Sequence, residues 1–169
     1  MPDIYPGRMT ALMNGNIEGE KQQEFVVFLI GMRINSWWKV HKWFPVLSAM
    51  PKMIKELYQN PEHGFIHQES WFGRTTLMVQ YWKSFEHLEA YAKNRNAHHL
   101  PAWAEFNKKV ANSGDVGVWH ETYLVKEGCN ESLYINMPRF GLAKAGKHVV
   151  LDRKSNTAKG RLAKKQRVE

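Results

Sequence analysis

The stretch Glu24–Ile34, EFVVFLIGMRI, is the strongest single indication of fold in this 169-residue chain. Both of its alternating faces are apolar, which is typical of a β-strand that is covered on both sides. Its apolar run, Phe25–Met32, is far shorter than the roughly 20 residues that a membrane-spanning helix needs. We therefore predict a buried, central strand, and we expect neither a secretory signal nor a membrane partner.

A helix and two strands are predicted to follow this strand. Apolar residues at spacings of three and four run through residues 37–60 and predict a helix. Pro45 and Pro51 predict that this helix is broken, or that a new helical stretch begins at Pro51. Residues 64–82 alternate in the manner of two strands joined at the sequence SWFGR.

The remaining elements complete a recognisable order. Ser84 is a plausible N-cap for a second helix, SFEHLEAYAKN, and Pro101 fits the first position of a further helical piece. VGVWHETYLV, residues 116–125, is predicted to be the last strand. Strand, helix, strand, strand, helix and strand in this order are the split βαβ, ferredoxin-like plan of an α+β sandwich, with helices on one face of an antiparallel sheet.

The second face of such a sheet has to be covered by something. Both faces of the first strand are apolar, and seven Trp are many for one small domain. Packing of a second copy against the sheet would bury that face, so we predict a homodimer that forms a dimeric α/β barrel. The predicted domains are an N-terminal arm (1–22), the ferredoxin-like dimeric α/β-barrel domain (23–143) and a basic tail (144–169) that is expected to be disordered.

The positive charge of the chain is concentrated in that tail. Residues 144–169 hold nine Lys/Arg and two Asp/Glu of a chain whose net charge is +8, so the body before them is nearly neutral. The tail is either a solubilising extension or weakly attracted to anionic surfaces, and no specific nucleic-acid partner is predicted. Cys129 is the single cysteine. It cannot form an internal disulfide, which favours a reducing, cytoplasmic location.

Two histidines stand out as candidates for chemistry. The sequence contains none of the motifs GxGxxG, GxxxxGK[ST], CxxC, HExxH or GxSxG. His99 precedes a predicted helix, with Trp103 four positions later, so it is either a polar cap or an axial ligand for a haem iron. His120 lies in the last predicted strand, where it is either a core histidine or an acid/base group lining a cavity.

A resemblance to a known family bears on these alternatives. The runs YWKSFEHLEAYAK, HLPAWAEF, VWHETYLV and ESLYINMPRFGLAKA resemble the haem-containing aliphatic and phenylacetaldoxime dehydratases. The chain is similar over more of its length to small bacterial and fungal proteins of the dimeric α/β-barrel superfamily. Those proteins are often described as monooxygenase-like or as related to phenylacetaldoxime dehydratase.

The resemblance implies a haem enzyme that dehydrates aldoximes to nitriles. His99 would be the haem-iron ligand with Trp103 beside the cofactor, and His120 would be the catalytic acid/base that protonates the departing hydroxyl. The aldoxime dehydratases differ, since they hold two ferredoxin-like halves in one longer chain. Their catalytic arginine and serine have no aligned counterpart here, so Arg33, Arg74 and Arg139 are given no role.

Two further functions are compatible with the same fold. The first is a cofactor-free monooxygenase acting on an electron-rich aromatic compound, for which Asn35, Trp71 and His120 are the pocket candidates. The second is a non-catalytic dimer that binds a small hydrophobic molecule. The three hypotheses share a small hydrophobic ligand. Bound haem would distinguish the first from the other two, and dioxygen uptake with a phenolic substrate and no metal would distinguish the second from the third.

Overall fold

The computed structural model describes residues 2–13, 24–94, 104, 106–108, 112–126, 128–151 and 156–165. The strands are β1 (Tyr5–Leu12), β2 (Phe25–Ile34), β3 (Phe65–Trp71), β4 (Leu77–Trp82), β5 (Val116–Val125), β6 (Tyr134–Met137) and β7 (Lys147–Val150). The helices are α1 (Val40–Gln59), α2 (Phe85–Lys93), α3 (Leu142–Ala145) and α4 (Ala158–Lys165), with a single 3-10 turn at Pro61–His63.

The chain forms two compact units. One unit comprises residues 27–122 and the other comprises residues 1–26 together with 123–169. The first holds most of a four-stranded sheet in the order β3-β4-β2-β5. The second is built around a three-stranded sheet in the order β6-β1-β7.

The four-stranded sheet confirms the predicted ferredoxin-like α+β fold. Its order places β2, the strand predicted from EFVVFLIGMRI, at an inner position between β4 and β5. β3 and β4 pair antiparallel, from Phe65 opposite Trp82 to Trp71 opposite Leu77. The tyrosine ring of Tyr91 on α2 lies 5.7 Å from the Trp82 ring, and its hydroxyl donates to Glu56 of α1. Both helices therefore lie on one face of the sheet.

α2 begins as the sequence predicts. The hydroxyl of Ser84 accepts a hydrogen bond from the backbone N–H of His87, which satisfies one of the free donors of the first turn. Leu88 and Tyr91 are its buried residues. The further helical piece predicted from Pro101 is seen at Ala104 and residues 106–108, and its other residues lie outside the described part of the chain.

α1 corrects one prediction. It runs without interruption from Val40 to Gln59, through both Pro45 and Pro51. A proline has a helical φ and loses its own N–H bond, so a helix that is held by packing can continue through it. Ser48 donates its hydroxyl to the carbonyl oxygen of Pro45, three residues earlier in the same helix, at 3.0 Å.

The unit of residues 1–26 and 123–169 corrects two further predictions. β1 lies where an arm was predicted, and it pairs antiparallel with both β6 and β7. β7 and α4 lie where a disordered tail was predicted, and the buried Arg161 donates to Glu131 at 2.6 Å. These pairings join residues far apart in sequence, so local periodicity gives little sign of them.

Among the described residues, no helix is long and apolar enough to cross a bilayer.

Candidate functional site: an apolar cavity under α1

A cavity of about 690 Å³ lies between α1 and the sheet, within the unit of residues 27–122. Its volume falls in the usual range for sites that bind small molecules. It is lined from α1 by residues 41, 42, 44–51 and 53–55, and from the sheet side and the 106–108 helical piece by Ile30, Gly31, Met32, Gln68, Ser70, Trp71, Phe72, Thr76, Leu77, Met78, Phe106 and Val118.

The cavity exists because only a few side chains of α1 pack closely against the sheet. Leu57 is the one fully buried residue of α1. Near the start of the helix, Trp43 and Leu47 pack on a small core cluster of Met32, Ile34 and Val116. Protein interiors normally contain few voids larger than a water molecule. A space of this size between two core elements makes this place the candidate binding site of the chain.

Methionine, phenylalanine and tryptophan side chains contribute eight of the described residues that line the cavity. Met32, Met50, Met53 and Met78 line it, and methionine adapts its shape to an irregular ligand. Phe44 and Phe72, which also line it, are 56% and 79% exposed. Large exposed rings beside an apolar cavity are suited to holding a flat hydrophobic molecule at its mouth.

Two polar side chains of β3 interrupt the apolar walls. Gln68 and Ser70 both line the cavity, and the Ser70 hydroxyl donates to Gln68 Oε1 at 2.6 Å. Their cross-strand neighbour Gln80 is buried, and its Oε1 accepts from the indole N–H of Trp82 at 3.0 Å. A few polar groups in an apolar pocket are what fixes the orientation of a ligand.

A hydrogen-bonded network fixes the N-terminal end of α1, and with it one wall of the cavity. Asp115, just before β5, accepts from Lys39 Nζ at 2.8 Å and from the hydroxyl of Ser36 at 3.0 Å. The hydrogen bond from Lys39 is the largest cause of a lowered pKa of the Asp115 carboxyl, and that from Ser36 adds to it. Asp115 is therefore held in its ionised form at neutral pH.

A second cluster ties the other end of α1 to β3. The ring of His67 has its Nδ1 3.1 Å from the hydroxyl of Tyr58 and its Nε2 3.2 Å from Glu69 Oε1. This cluster therefore anchors α1, and none of its three members lines the cavity.

The predicted haem site cannot be built from described residues. His99, predicted to ligate the haem iron, and Trp103, predicted to lie beside the cofactor, are outside the described part of the chain. His120 is described and exposed, and its ring centroid is 5.6 Å from that of Phe28. It is not among the residues that line the cavity. Its predicted catalytic role stays a prediction.

Of the residues predicted to line the pocket of a cofactor-free oxygenase, the structure places some at the cavity and others outside it. Trp71 lines the cavity, as predicted for it. Asn35 donates its side-chain amide to the backbone oxygen of Gly114 at 2.9 Å and is not a lining residue. Sequence reasoning missed Gln68 and Ser70. Their signal was polar residues at alternate positions of a strand whose helix-covered face should be apolar.

The unit of residues 1–26 and 123–169 contains a half-buried histidine of its own. The ring of His148 lies edge-on to Tyr5 at 4.9 Å and to Tyr134 at 5.5 Å. Both ring nitrogens are buried and have no hydrogen-bond partner among the described residues. Burial, and then the nearby Arg139 guanidinium, lowers the pKa of His148, so its neutral form is favoured.

Comparison with known proteins identifies the relatives of this chain. The family model described as Monooxygenase af470-like matches residues 25–142. Monooxygenase af470 of Aspergillus fumigatus is 28% identical over 152 residues, which cover 80% of this chain and 53% of that protein. The chain thus spans about half the length of this curated relative. Neither match supports the predicted relation to aldoxime dehydratases or the haem that this relation implies.

Solved structures with similar folds share little sequence with the chain. SnoaB, a cofactor-independent oxygenase from Streptomyces nogalater, is 10% identical with a TM-score of 0.44, covering 62% of this chain and 95% of that one. Rv0793 from Mycobacterium tuberculosis is 11% identical with a TM-score of 0.44, covering 58% and 92% respectively.

Proposed function

The chain belongs to the Monooxygenase af470-like family, and from this premise we propose that it is a cofactor-free monooxygenase acting on a hydrophobic, electron-rich aromatic compound. The observation that carries the proposal is the large apolar cavity between α1 and the sheet, which lies within the matched residues. A compound of this class can supply the electrons for its own oxygenation.

The reaction balances with dioxygen as the one co-substrate. A ring CH₂ that is acidified by neighbouring carbonyl or phenol groups loses a proton, and the resulting carbanion transfers one electron to O₂. The carbon radical and superoxide combine, the peroxide anion takes up a proton, and loss of water breaks the O–O bond. The sum is R₂CH₂ + O₂ → R₂C=O + H₂O, in which the carbon loses four electrons and dioxygen gains four.

The cavity provides what such a reaction requires from a protein. Its apolar walls exclude water, so a carbanion or radical formed there is protected from stray protons and cannot easily release superoxide. Proton removal requires a base within reach of the substrate. His41, on the first turn of α1, is the imidazole among the described lining residues. We assign it this task in preference to His120.

An oxygen-electrode experiment tests the proposal. The purified chain is dialysed against a chelator and mixed with 1,8-dihydroxyanthrone, with no flavin, haem or nicotinamide added. We expect dioxygen uptake well above the spontaneous rate, with one O₂ consumed for each anthraquinone formed. Uptake at the spontaneous rate, or acceleration that appears only when stoichiometric haem is added, would overturn the proposal.

Replacement of the two histidines tests the choice of base. We expect His41→Ala to lower kcat for 1,8-dihydroxyanthrone by about 100-fold, as is usual when a general base is removed. His120→Ala should leave kcat within a small factor of the unmodified chain, because its side chain lies outside the cavity lining. The reverse pattern would restore the catalytic role that the sequence predicts for His120.

A further inference from the structure

We propose that the side-chain amide of Gln68 forms an oxygen-binding subsite, which accepts a carbonyl, enolate or phenolate oxygen of the ligand. This inference rests on the proposed function and names the part of the substrate that the cavity recognises. It assigns to Gln68 a specificity-determining role, in which its N–H donors distinguish an oxygenated aromatic ligand from a hydrocarbon of the same shape.

The position of Gln68 follows from the register of the sheet. Gln68 on β3 lies opposite Gln80 on β4, and Ser70 lies opposite Met78. Gln68, Ser70 and Met78 line the cavity under α1. The two polar side chains therefore lie on the helix-covered face of the sheet, where a structural core would place apolar ones.

Gln68 and Gln80 differ in whether the nitrogen of the side-chain amide has a hydrogen-bond partner. The amide of Gln80 is bonded through both its oxygen and its nitrogen, since its Oε1 accepts from Trp82 and its Nε2 donates to Met78 Sδ at 3.2 Å. Gln68 accepts from Ser70 through Oε1, but its Nε2 makes no hydrogen bond to any described residue. Ser70 thereby fixes the amide with its two N–H donors available. A ligand acceptor placed against this wall of the cavity would gain a hydrogen bond from these donors.

The charges around the cavity favour an oxygen that is negative or becomes so. Its described lining residues include Lys42 and Lys55 of α1 and contain no carboxylate. A phenolate or enolate would therefore meet N–H donors of Gln68 and a cavity whose described charged lining residues are positive. The predicted ligand has a flat hydrophobic body and an acceptor oxygen directed at β3.

Two probes of nearly equal shape separate this role from simple hydrophobic binding. 2-Acetylnaphthalene carries one acceptor oxygen and no donor, whereas 2-isopropylnaphthalene carries neither. The preference is the ratio of the two Kd values, measured by isothermal titration calorimetry. We expect the unmodified chain to prefer the ketone, and Gln68→Met to reduce this preference about three- to tenfold, which corresponds to one hydrogen bond.

Two further variants complete the design. Ser70→Ala removes the hydroxyl that holds the amide, so the preference should fall to a lesser degree while Gln68 remains in place. Gln59→Met makes the same chemical change at the exposed end of α1 and should leave the preference unaltered. Circular dichroism and thermal unfolding establish that each variant is folded.

The outcomes distinguish the subsite from the reaction. An unchanged preference in Gln68→Met, or an unmodified chain that binds neither probe, overturns the subsite. Loss of preference in Gln68→Met together with no oxygen uptake on 1,8-dihydroxyanthrone would support the subsite and overturn the proposed reaction. Oxygen uptake on 1,8-dihydroxyanthrone together with an unchanged preference in Gln68→Met would support the proposed reaction and overturn the subsite.

Discussion

At the scale of single residues, the His148 imidazole links the stability of the fold to pH. Its two ring nitrogens are buried without a partner among the described residues, between the rings of Tyr5 and Tyr134. The guanidinium of Arg139 lies over the Tyr5 ring at 5.6 Å. A proton on this imidazole would create a second positive charge in a place with few compensating groups.

We therefore predict that His148 makes the folded state less stable in acid. Its folded-state pKa is lowered from 6.5, so below that pH the unfolded chain binds a proton that the folded chain does not. The free energy of unfolding should then fall as pH decreases through and below 6.5. Urea unfolding at a series of pH values measures this slope. His148→Phe should make it shallower, and an identical slope in both proteins would contradict the prediction.

At the scale of elements, the separation between α1 and β2 is the feature on which the proposed function depends. Ile30 on the inner strand faces the cavity, and residues 44–51 of α1 line the opposite wall. The two ends of α1 are fixed by separate networks, at Lys39 with Asp115 and at Tyr58 with His67. The helix can thus remain in place over a space that is not filled by its own side chains.

Narrowing that space should stabilise the protein and weaken its binding. We predict that Ile30→Phe raises the free energy of unfolding by about 1 kcal/mol, because it fills part of the cavity. The same variant should bind 2-acetylnaphthalene more weakly than the unmodified chain. Ile30→Val is the matched control, expected to keep binding at a cost of about 1 kcal/mol in stability. If Ile30→Phe binds as well as the unmodified chain, the ligand does not occupy the cavity.

Elements with strong local patterns could be predicted from the sequence. The two-faced apolar run of β2, the alternation of β5 and the N-cap at Ser84 are visible in a few neighbouring residues, and all three predictions are confirmed. β1, β6 and β7 were missed because their stability comes from partners that are distant in sequence. The cavity was missed for a similar reason: spacing predicts which residues face inward, but not whether the space between them is filled.

At the scale of the whole molecule, we predict a homodimer that forms through the face of the sheet that points away from α1. Leu29 of β2 and Val79 of β4 alternate with the cavity-lining residues Ile30 and Met78, so they belong to that face. A second copy packed on it would complete the dimeric barrel.

The predictions of a cytoplasmic location and of no specific nucleic-acid partner also stay predictions.

The oligomeric state can be measured directly. We expect size-exclusion chromatography with light scattering to give the mass of a dimer for the unmodified chain. Val79→Arg should give a monomer, because a charge buried between two apolar sheet faces is costly. Ala90→Arg, at an exposed position of α2, should remain dimeric. A monomeric unmodified chain would contradict the barrel.

The central claim is that the cavity under α1 oxygenates its ligand with dioxygen alone, and an isotope experiment tests it most directly. The chelator-treated chain and its Ile30→Phe variant are each supplied with 1,8-dihydroxyanthrone under ¹⁸O₂. We predict that the unmodified chain places one ¹⁸O atom in the new carbonyl and the other in water, while the variant forms product more slowly than the unmodified chain. Equal rates for the two proteins, or a product whose new oxygen comes from water, would contradict the claim.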